Sequence, residues 1–386
     1  MPCGQGAAVG VADVLRDHVA SLRLSPEQGK AAAHIIGCRT GRFGGHIDDC
    51  DRCGDRHYAY HSCRDRHCPR CGGLDQAIWA EAQQQHLLPV SYFHLVFTVP
   101  ASLRPFFLGA GRVHAFEALF AAASETILQV AARRGLLLGV LAVLHTWNQK
   151  LDNHPHVHCL VPGGGFGPNG FVVMERFLFS YKLLRRVFKV KLLQTLRILL
   201  KEGVLNVPRA SAYFLLEKAN TGDWNMKVKR ALAGPDAVIK YFARYTKKIG
   251  LSDSRVTAYD GKDVTYTYRD RQDRNRVKPA KLEGPKFCRR FLNHVLPPGF
   301  VRIRRYGFWS NRTREQRAAM AREALKVEAP PPLRRESRSA ACLRIFGKDP
   351  SRCTKCPDAR LVTVARWGPT RLPMDVLLAK LFPRAP

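Results

Sequence analysis

His154-Pro155-His156-Val157-His158-Cys159-Leu160-Val161-Pro162-Gly163-Gly164-Gly165 places a histidine at every second position, then runs apolar into three glycines. The β-branched and apolar run from His156 to Val161, closed by Pro and Gly, reads as a strand. Side chains alternate along an extended chain, so His156 and His158 project from one face. Two imidazoles so placed fit one divalent cation and leave positions open for substrate oxygens. His154 shares their parity, but Pro155 disturbs its direction. A third ligand must come from elsewhere, and His154, Gln149, His145 and Asp152 are the candidates. By itself His-x-His is a weak motif that reads equally as two surface histidines. The glycine run lacks the Lys-Ser/Thr ending of a phosphate-binding loop and reads as a tight turn.

Working outward, Tyr92–Val99 is a strand between two prolines, Gly139–Trp147 a second and Gly170–Val173 another beyond the glycines. Val113–Arg134 reads as a long helix ended by Gly135, and Phe177–Leu200 as a basic helix. Upstream, Val11, Val14, Leu15, Val19 and Leu22 recur at helical spacing, and Leu74–Leu88 is a helix stopped by Pro89. Downstream come a short strand at Tyr213–Leu216, a helix over Asp236–Lys248, a hairpin around Asp260-Gly261, a helix over Pro285–Leu296 and a stiff linker at Glu328–Pro332. Strands interleaved with helices in this order make an α+β protein.

The cysteines are clustered. Cys50-x2-Cys53 and Cys68-x2-Cys71 are separated by fourteen residues, a spacing that suits one tetrahedral zinc site with four thiolates. Each pair makes a tight knuckle, and the ion supplies stability that a small module cannot draw from burial. Cys63, His57, His61 and His67 are spare ligands for that site or for a second ion. Arg52, Arg64, Arg66 and Arg70 surround it and favour ionised thiols, and with Tyr58 and Tyr60 they suit a phosphate backbone. Cys342, Cys353 and Cys356 form a smaller group without an evident fourth ligand, equally readable as plain thiols. Cys3, Cys38, Cys159 and Cys288 read as isolated thiols. The resulting division is a helical and zinc-binding module over 1–88, an α+β domain over 89–326, and a Pro-rich linker with a basic tail over 327–386.

The chain carries 63 Lys+Arg against 31 Asp+Glu, a net charge of +32, while 46% of its residues are hydrophobic. That composition excludes disorder and points to a polyanionic partner, nucleic acid first and an anionic membrane second. The longest apolar candidate, Leu136–Leu144, is nine residues, short of the ~18 a membrane span needs, and no secretory leader is evident. The expectation is therefore a reducing, cytoplasmic setting, no membrane, and cysteines that serve metal. Positive charge recurs over residues 182–201, 269–290 and 302–322, interleaved with Tyr266, Tyr268, Tyr306, Phe308 and Trp309, aromatic rings of the kind on which unpaired bases stack.

On the helix expected over Asp236–Lys248, Tyr241 and Tyr245 lie one turn apart on one face, beside Arg244, Lys247 and Lys248. A phenol with a pKa of ~10 is a poor nucleophile unless cations or a metal favour the phenolate. On spacing alone the pair reads first as two half-buried structural tyrosines.

Taken together, these residues resemble the IS91-family transposases of the HUH superfamily of single-strand DNA endonucleases. The likeness runs in order from about residue 11 to 315. Ser62–Cys71 resembles the family's zinc-binding domain, and His145–Trp147 with His154–Gly165 resembles its metal-binding segment. Tyr241–Thr246 resembles its nucleophile helix, and Arg302–Arg312, with Arg302, Arg304 and Arg305, a further basic signature. Asn148 and Lys247-Lys248 depart from the usual pattern without touching the candidate ligands.

The resemblance implies an HUH-type antiparallel sheet flanked by helices and preceded by a small zinc module. It implies Mg²⁺ or Mn²⁺ on His156 and His158, and attack by Tyr241 or Tyr245 on single-stranded DNA at element ends and target. A 5′-phosphotyrosine link, rolling-circle-like transposition and a bacterial, nucleoid-associated location follow from it. Two other classes stay open on the residues alone: a non-catalytic zinc-containing DNA-binding protein, and a nuclease using metal-activated water.

Overall fold

A computed structural model of the protein describes residues 9–174, 179–233, 238, 250–356, 358–370 and 377. The chain opens with α1 (Val11–His18) and α2 (Pro26–Ile36), where the helical spacing predicts them. Ser25 caps α2: its hydroxyl accepts from the Gln28 N–H at 3.4 Å, and the Gln28 side chain accepts from the Ser25 N–H at 3.1 Å. The cysteine-rich stretch then forms a hairpin, β1 (Gly45–Cys50) and β2 (Arg56–Tyr60), before α3 (Gly73–Ala82).

The middle of the chain supplies β3 (Ser91–Thr98), α4 (Arg112–Ala132), β4 (Leu137–Trp147), β5 (Asn153–Pro162), β6 (Gly164–Gly167), β7 (Gly170–Val173), α5 (Tyr181–Lys201), α6 (Arg209–Thr221) and β8 (Met226–Ala233). After these come β9 (Val256–Tyr259), β10 (Asp263–Asp270), β11 (Arg276–Glu283), α7 (Gly284–Leu292), β12 (Ile303–Gly307), α8 (Arg314–Leu325), α9 (Arg338–Phe346) and β13 (Leu361–Trp367).

The central sheet is antiparallel throughout, in the order β7-β6-β4-β5-β3-β8. Strand β12 runs along the other edge of β4, so Leu141 pairs with Leu160 on one side and Arg305 on the other. Alternation divides the sheet into two faces. Phe93, Leu95 and Phe97 of β3, Val140, Ala142 and Leu144 of β4, and Val157 and Val161 of β5 pack under α4, α5 and α6 in the main core. Phe97 and Phe188 meet there with ring centroids 4.8 Å apart, each fully buried and worth about 2–3 kcal/mol of transfer free energy. The opposite face carries Tyr92, Leu141, Val143 and Leu160, covered by Phe308, Trp309 and Val238. The histidines of β3, β4 and β5 share the parity of this second face.

Helix α4 has 21 residues and is long and apolar enough to cross a membrane by length and composition, which the run-of-apolar-residues reading passed over. It serves as a core helix here, with 67% of its apolar window buried between the sheet and α5. A three-stranded sheet, β11-β10-β9, packs with α1, α2 and α7 around Val14, Leu15, Ile35, Val264, Tyr266, Phe287 and Phe291.

The third sheet has the order β13-β1-β2. Within the segment expected as linker and tail, Leu361–Trp367 pairs antiparallel with Gly45–Cys50 of the first module. Helix α9 is tied to α3 by Arg338–Asp75 at 2.6 Å and Arg344–Glu81 at 2.7 Å. Two local expectations fail. Tyr213–Leu216 lies within α6, because Ala212, Leu216 and Ala219 bury one helical face. The glycines after β5 do not turn the chain; they carry it into β6, and a Cβ at Gly163 would sit 2.7 Å from the Ser91 carbonyl oxygen of β3. The hairpin at Asp260-Gly261 is as expected. The helix expected over Asp236–Lys248 lies outside the described residues, Val238 excepted.

Candidate active site and metal centres

Strand pairing sets His145 of β4 directly opposite His156 of β5. His158 follows two residues on along the same face, and the three imidazoles offer donor atoms within 4.8 Å of one another. Ring centroids lie 5.3 Å apart for His145–His156, 4.5 Å for His145–His158 and 4.8 Å for His156–His158. His145 in turn stacks on Trp147 at 4.8 Å.

Hydrogen bonds orient two of the rings. His156 Nδ1 lies 2.7 Å from the His154 carbonyl oxygen, which only accepts, so Nδ1 carries the proton and Nε2 keeps its lone pair. His158 Nδ1 lies 2.8 Å from His94 Nε2 on β3, with the two rings stacked at 5.1 Å. Burial, and then the neighbouring His145, hold His156 and His158 well below the usual imidazole range. Both are thus neutral, the form that binds metal.

Of the four candidate third ligands, the structure brings His145 to the pair. His154 Nδ1 accepts from Arg104 at 3.0 Å, and burial takes its pKa down to about 4. Gln149 accepts the Arg269 N–H at 3.5 Å, and Asp152 is paired with Arg290 at 2.6 Å. His94 escaped the sequence reading. Its signal was parity: in Tyr92–Val99 it falls on the face opposite the apolar Phe93, Leu95 and Phe97. The positive charge of Arg271 acts on His154, His156 and His158.

Tyr241, Arg244, Tyr245, Lys247 and Lys248 lie outside the described residues. Val238, three positions before Tyr241, is fully buried in the cluster of Tyr92, Leu141, Val143 and Leu160 on the histidine-bearing face.

The structure does not bring Cys50 and Cys53 together with Cys68 and Cys71. Each pair joins a different group of four: Cys38, Cys63, Cys68 and Cys71 in one, Cys50, Cys53, Cys353 and Cys356 in the other. Hairpin β1–β2 separates the two knuckles, so adjacent pairs point to different centres. Cys38, expected to be an isolated thiol, is a member of the first group, drawn there by the end of α2. Its thiol is lowered to about 7, chiefly by a hydrogen bond with Cys63. Cys63 and Cys71 Sγ are 3.7 Å apart, and a tetrahedral Zn–S distance of ~2.3 Å places sulfurs about 3.8 Å apart. Four soft thiolates at this separation suit structural zinc.

His67 is not a ligand: its Nδ1 faces Asp65 at 3.0 Å and its Nε2 accepts the Leu296 N–H at 3.1 Å. Arg66 donates to the carbonyls of Phe300, Leu296 and Pro297 at 2.6, 3.0 and 2.6 Å. Arg70 pairs with Asp253 at 3.0 Å. These two arginines thus dock the zinc module on the loop after α7 and the segment before β9. His57 Nε2 lies 3.9 Å from Cys353 Sγ, beside the second group rather than the first.

Among the arginines of the basic signature, Arg304 pairs with Glu117 and lies over Phe120 at 4.3 Å, and Arg305 bonds Gln83. Arg302 lies over Trp147 at 5.8 Å, and burial lowers its pKa to about 10. All three contribute to packing around β12.

An antiparallel sheet bearing a buried histidine trio, joined to a thiolate-ligated module, defines a metal-binding α+β protein. Two family models match it: one described as a putative transposase over residues 139–317, the other as a transposase zinc-binding domain over residues 11–99. The chain is 36% identical over 379 residues to a putative transposase of Sinorhizobium fredii, covering 92% of this chain and 94% of the relative. It is 29% identical over 322 residues to the transposase for insertion sequence element IS801 of Pseudomonas savastanoi pv. phaseolicola, covering 81% and 77%. The chain belongs to the IS91 family of transposases, and its zinc-binding domain holds Cys38, Cys63, Cys68 and Cys71 and contributes Cys50 and Cys53 to the second group.

Proposed function

We propose that the protein cuts and rejoins single-stranded DNA through a tyrosine, by the two-tyrosine, rolling-circle-like route. The observation that carries this is the trio His145, His156 and His158: neutral, oriented by hydrogen bonds, and held on a sheet face that also buries Val238 at the foot of the tyrosine segment. The trio would hold Mg²⁺ or Mn²⁺, which polarises a non-bridging phosphate oxygen and stabilises the charge that develops there. A phenolic oxygen of Tyr241 or Tyr245 attacks phosphorus. The bond from phosphorus to the 3′-oxygen breaks, that oxygen leaves with a proton, and the 5′-phosphate stays on the tyrosine. One phosphodiester replaces another, so rejoining to a second 3′-hydroxyl needs no nucleotide triphosphate. The second tyrosine permits a second transfer. Arg271 favours the phosphate near the histidines, and the charge of +32 holds the strand.

The test is incubation with labelled single-stranded DNA from an element end in Mg²⁺, followed by detection of a protease-sensitive adduct. Tyr241→Phe combined with Tyr245→Phe is expected to abolish the adduct, and His156→Ala to do so while zinc stays bound. Cleaved ends without an adduct would replace this reading with metal-activated water, and binding without cleavage would replace it with a non-catalytic DNA-binding role.

A further inference from the structure

We propose that Cys50, Cys53, Cys353 and Cys356 bind a second zinc ion, and that this ion fastens the C-terminal segment to the first module. The family models cover residues 11–99 and 139–317, so neither includes Cys353 or Cys356. Three observations carry the assignment. The four sulfurs lie within 4.8 Å of one another, with Cys53 and Cys353 at 3.9 Å, close to the ~3.8 Å of tetrahedral zinc thiolates.

The backbone around them is built for thiolates. The Arg52 and Cys53 N–H groups point at Cys50 Sγ at 3.4 Å each, and the Lys355 N–H points at Cys353 Sγ at 3.4 Å. The first group repeats the pattern, with the Asp65 N–H 3.4 Å from Cys63 Sγ. The knuckles at Cys50–Cys53 and Cys68–Cys71 each close on a glycine in the left-handed region, Gly54 at φ +67° and Gly72 at φ +82°. Two sites with the same local construction take the same ion.

The third observation is how little apolar burial, among the described residues, backs the pairing of β13 with β1 and the ion pairs of α9 with α3. Val362 and Val364 of β13 are exposed, and among the described residues the apolar contact behind it comes from two small clusters, Cys50–Cys353–Ala359 with Leu361 and Ile47–Trp367–Leu377 with Tyr60 and Ala365. Polar ties flank the knuckle: Lys355 Nζ to Asp55 at 2.6 Å and the Arg360 N–H to Asp51 at 3.0 Å. Exposed pairs of this kind hold weakly. Cys53 and Cys353 are 300 residues apart, and a crosslink that closes so long a loop removes much freedom from the unfolded chain. His57 and Asp55 also approach Cys353, but their neighbouring thiols complete a softer, better matched donor set.

The test counts zinc by mass spectrometry in the purified full-length chain. Two ions per chain are expected, falling to one in Cys353→Ser/Cys356→Ser and staying at two in Cys342→Ser and His57→Ala. One ion in the unaltered protein, or two in the Cys353/Cys356 variant, would overturn the proposal. A second measurement avoids any variant that fails to fold. Residues 327–337 have no regular secondary structure, and a protease nick there leaves the C-terminal fragment attached only through its contacts. The nicked chain should hold its fragment in zinc and release it on chelation. Retention after both zinc ions are stripped would overturn the fastening role.

Discussion

Replacing His94 isolates the step from fold to metal. In the structure His94 Nε2 lies 2.8 Å from His158 Nδ1, both residues are buried, and their rings stack at an interplanar angle of 13°. His94→Phe keeps the stacked ring and removes the hydrogen bond. For His158 to offer Nε2 to an ion, its Nδ1–H must donate to His94 Nε2, so loss of that acceptor leaves Nδ1 desolvated and the ring free to choose the wrong tautomer. A buried polar group stripped of its partner costs about 1–3 kcal/mol. At 1.4 kcal/mol per decade that is roughly a 5- to 150-fold loss, and groups that orient metal-bound histidines typically contribute ~10–100-fold to metal affinity.

The assay is adduct formation on single-stranded DNA across a Mn²⁺ series. The half-saturating Mn²⁺ concentration should rise about 10–100-fold, while the plateau at saturating Mn²⁺ stays near the unaltered value. His94→Gln, whose amide oxygen can still accept from His158 Nδ1–H, should recover part of the shift. An unchanged Mn²⁺ midpoint in His94→Phe, or a lost plateau that metal cannot restore, would refute the argument, because His94 would then not act through His158.

Two further outcomes follow from the packing and the charge. Arg66→Ala removes three hydrogen bonds to the loop after α7, and with partial exposure discounted this should destabilise the docked module by about 2–4 kcal/mol with zinc content unchanged; Arg66→Lys should recover a fraction, and a denaturation midpoint unmoved by Arg66→Ala would disprove the docking role. Binding of single-stranded DNA should weaken steeply with salt, log affinity falling linearly with log salt at ~0.7 per phosphate contacted; a flat titration would remove the polyanion from the account.

Most of the strands and helices that build the sheet could be read locally. Tyr92–Val99, Gly139–Trp147 and His156–Val161 announce themselves by alternation and by the prolines and glycines around them, and the structure has β3, β4 and β5 there. Hairpin β1–β2 was hidden because its residues, Gly45–Cys50 and Arg56–Tyr60, are mostly polar. They owe their strand form to pairing with each other and with β13, not to an apolar face. Tyr213–Leu216 misled for the converse reason: aromatic and aliphatic residues favour strands only where a sheet receives them, and here they lie on a helix that buries Leu216 and leaves Tyr213 and Phe214 exposed.

The sequence by itself determined the residue types at each centre. Histidines at alternate strand positions must share a face, and Cys-x-x-Cys pairs must form knuckles, because both follow from the geometry of a few adjacent residues. Tertiary structure alone decided who joins whom. His145 rather than His154 or Gln149 completes the trio because strand register sets it opposite His156. Cys50 and Cys53 meet Cys353 and Cys356 rather than the nearby Cys68 and Cys71 because β13 returns to pair with β1. Partnerships across 300 residues depend on which strands find each other, and that is fixed by the burial and hydrogen bonding of the whole chain rather than by any spacing along it.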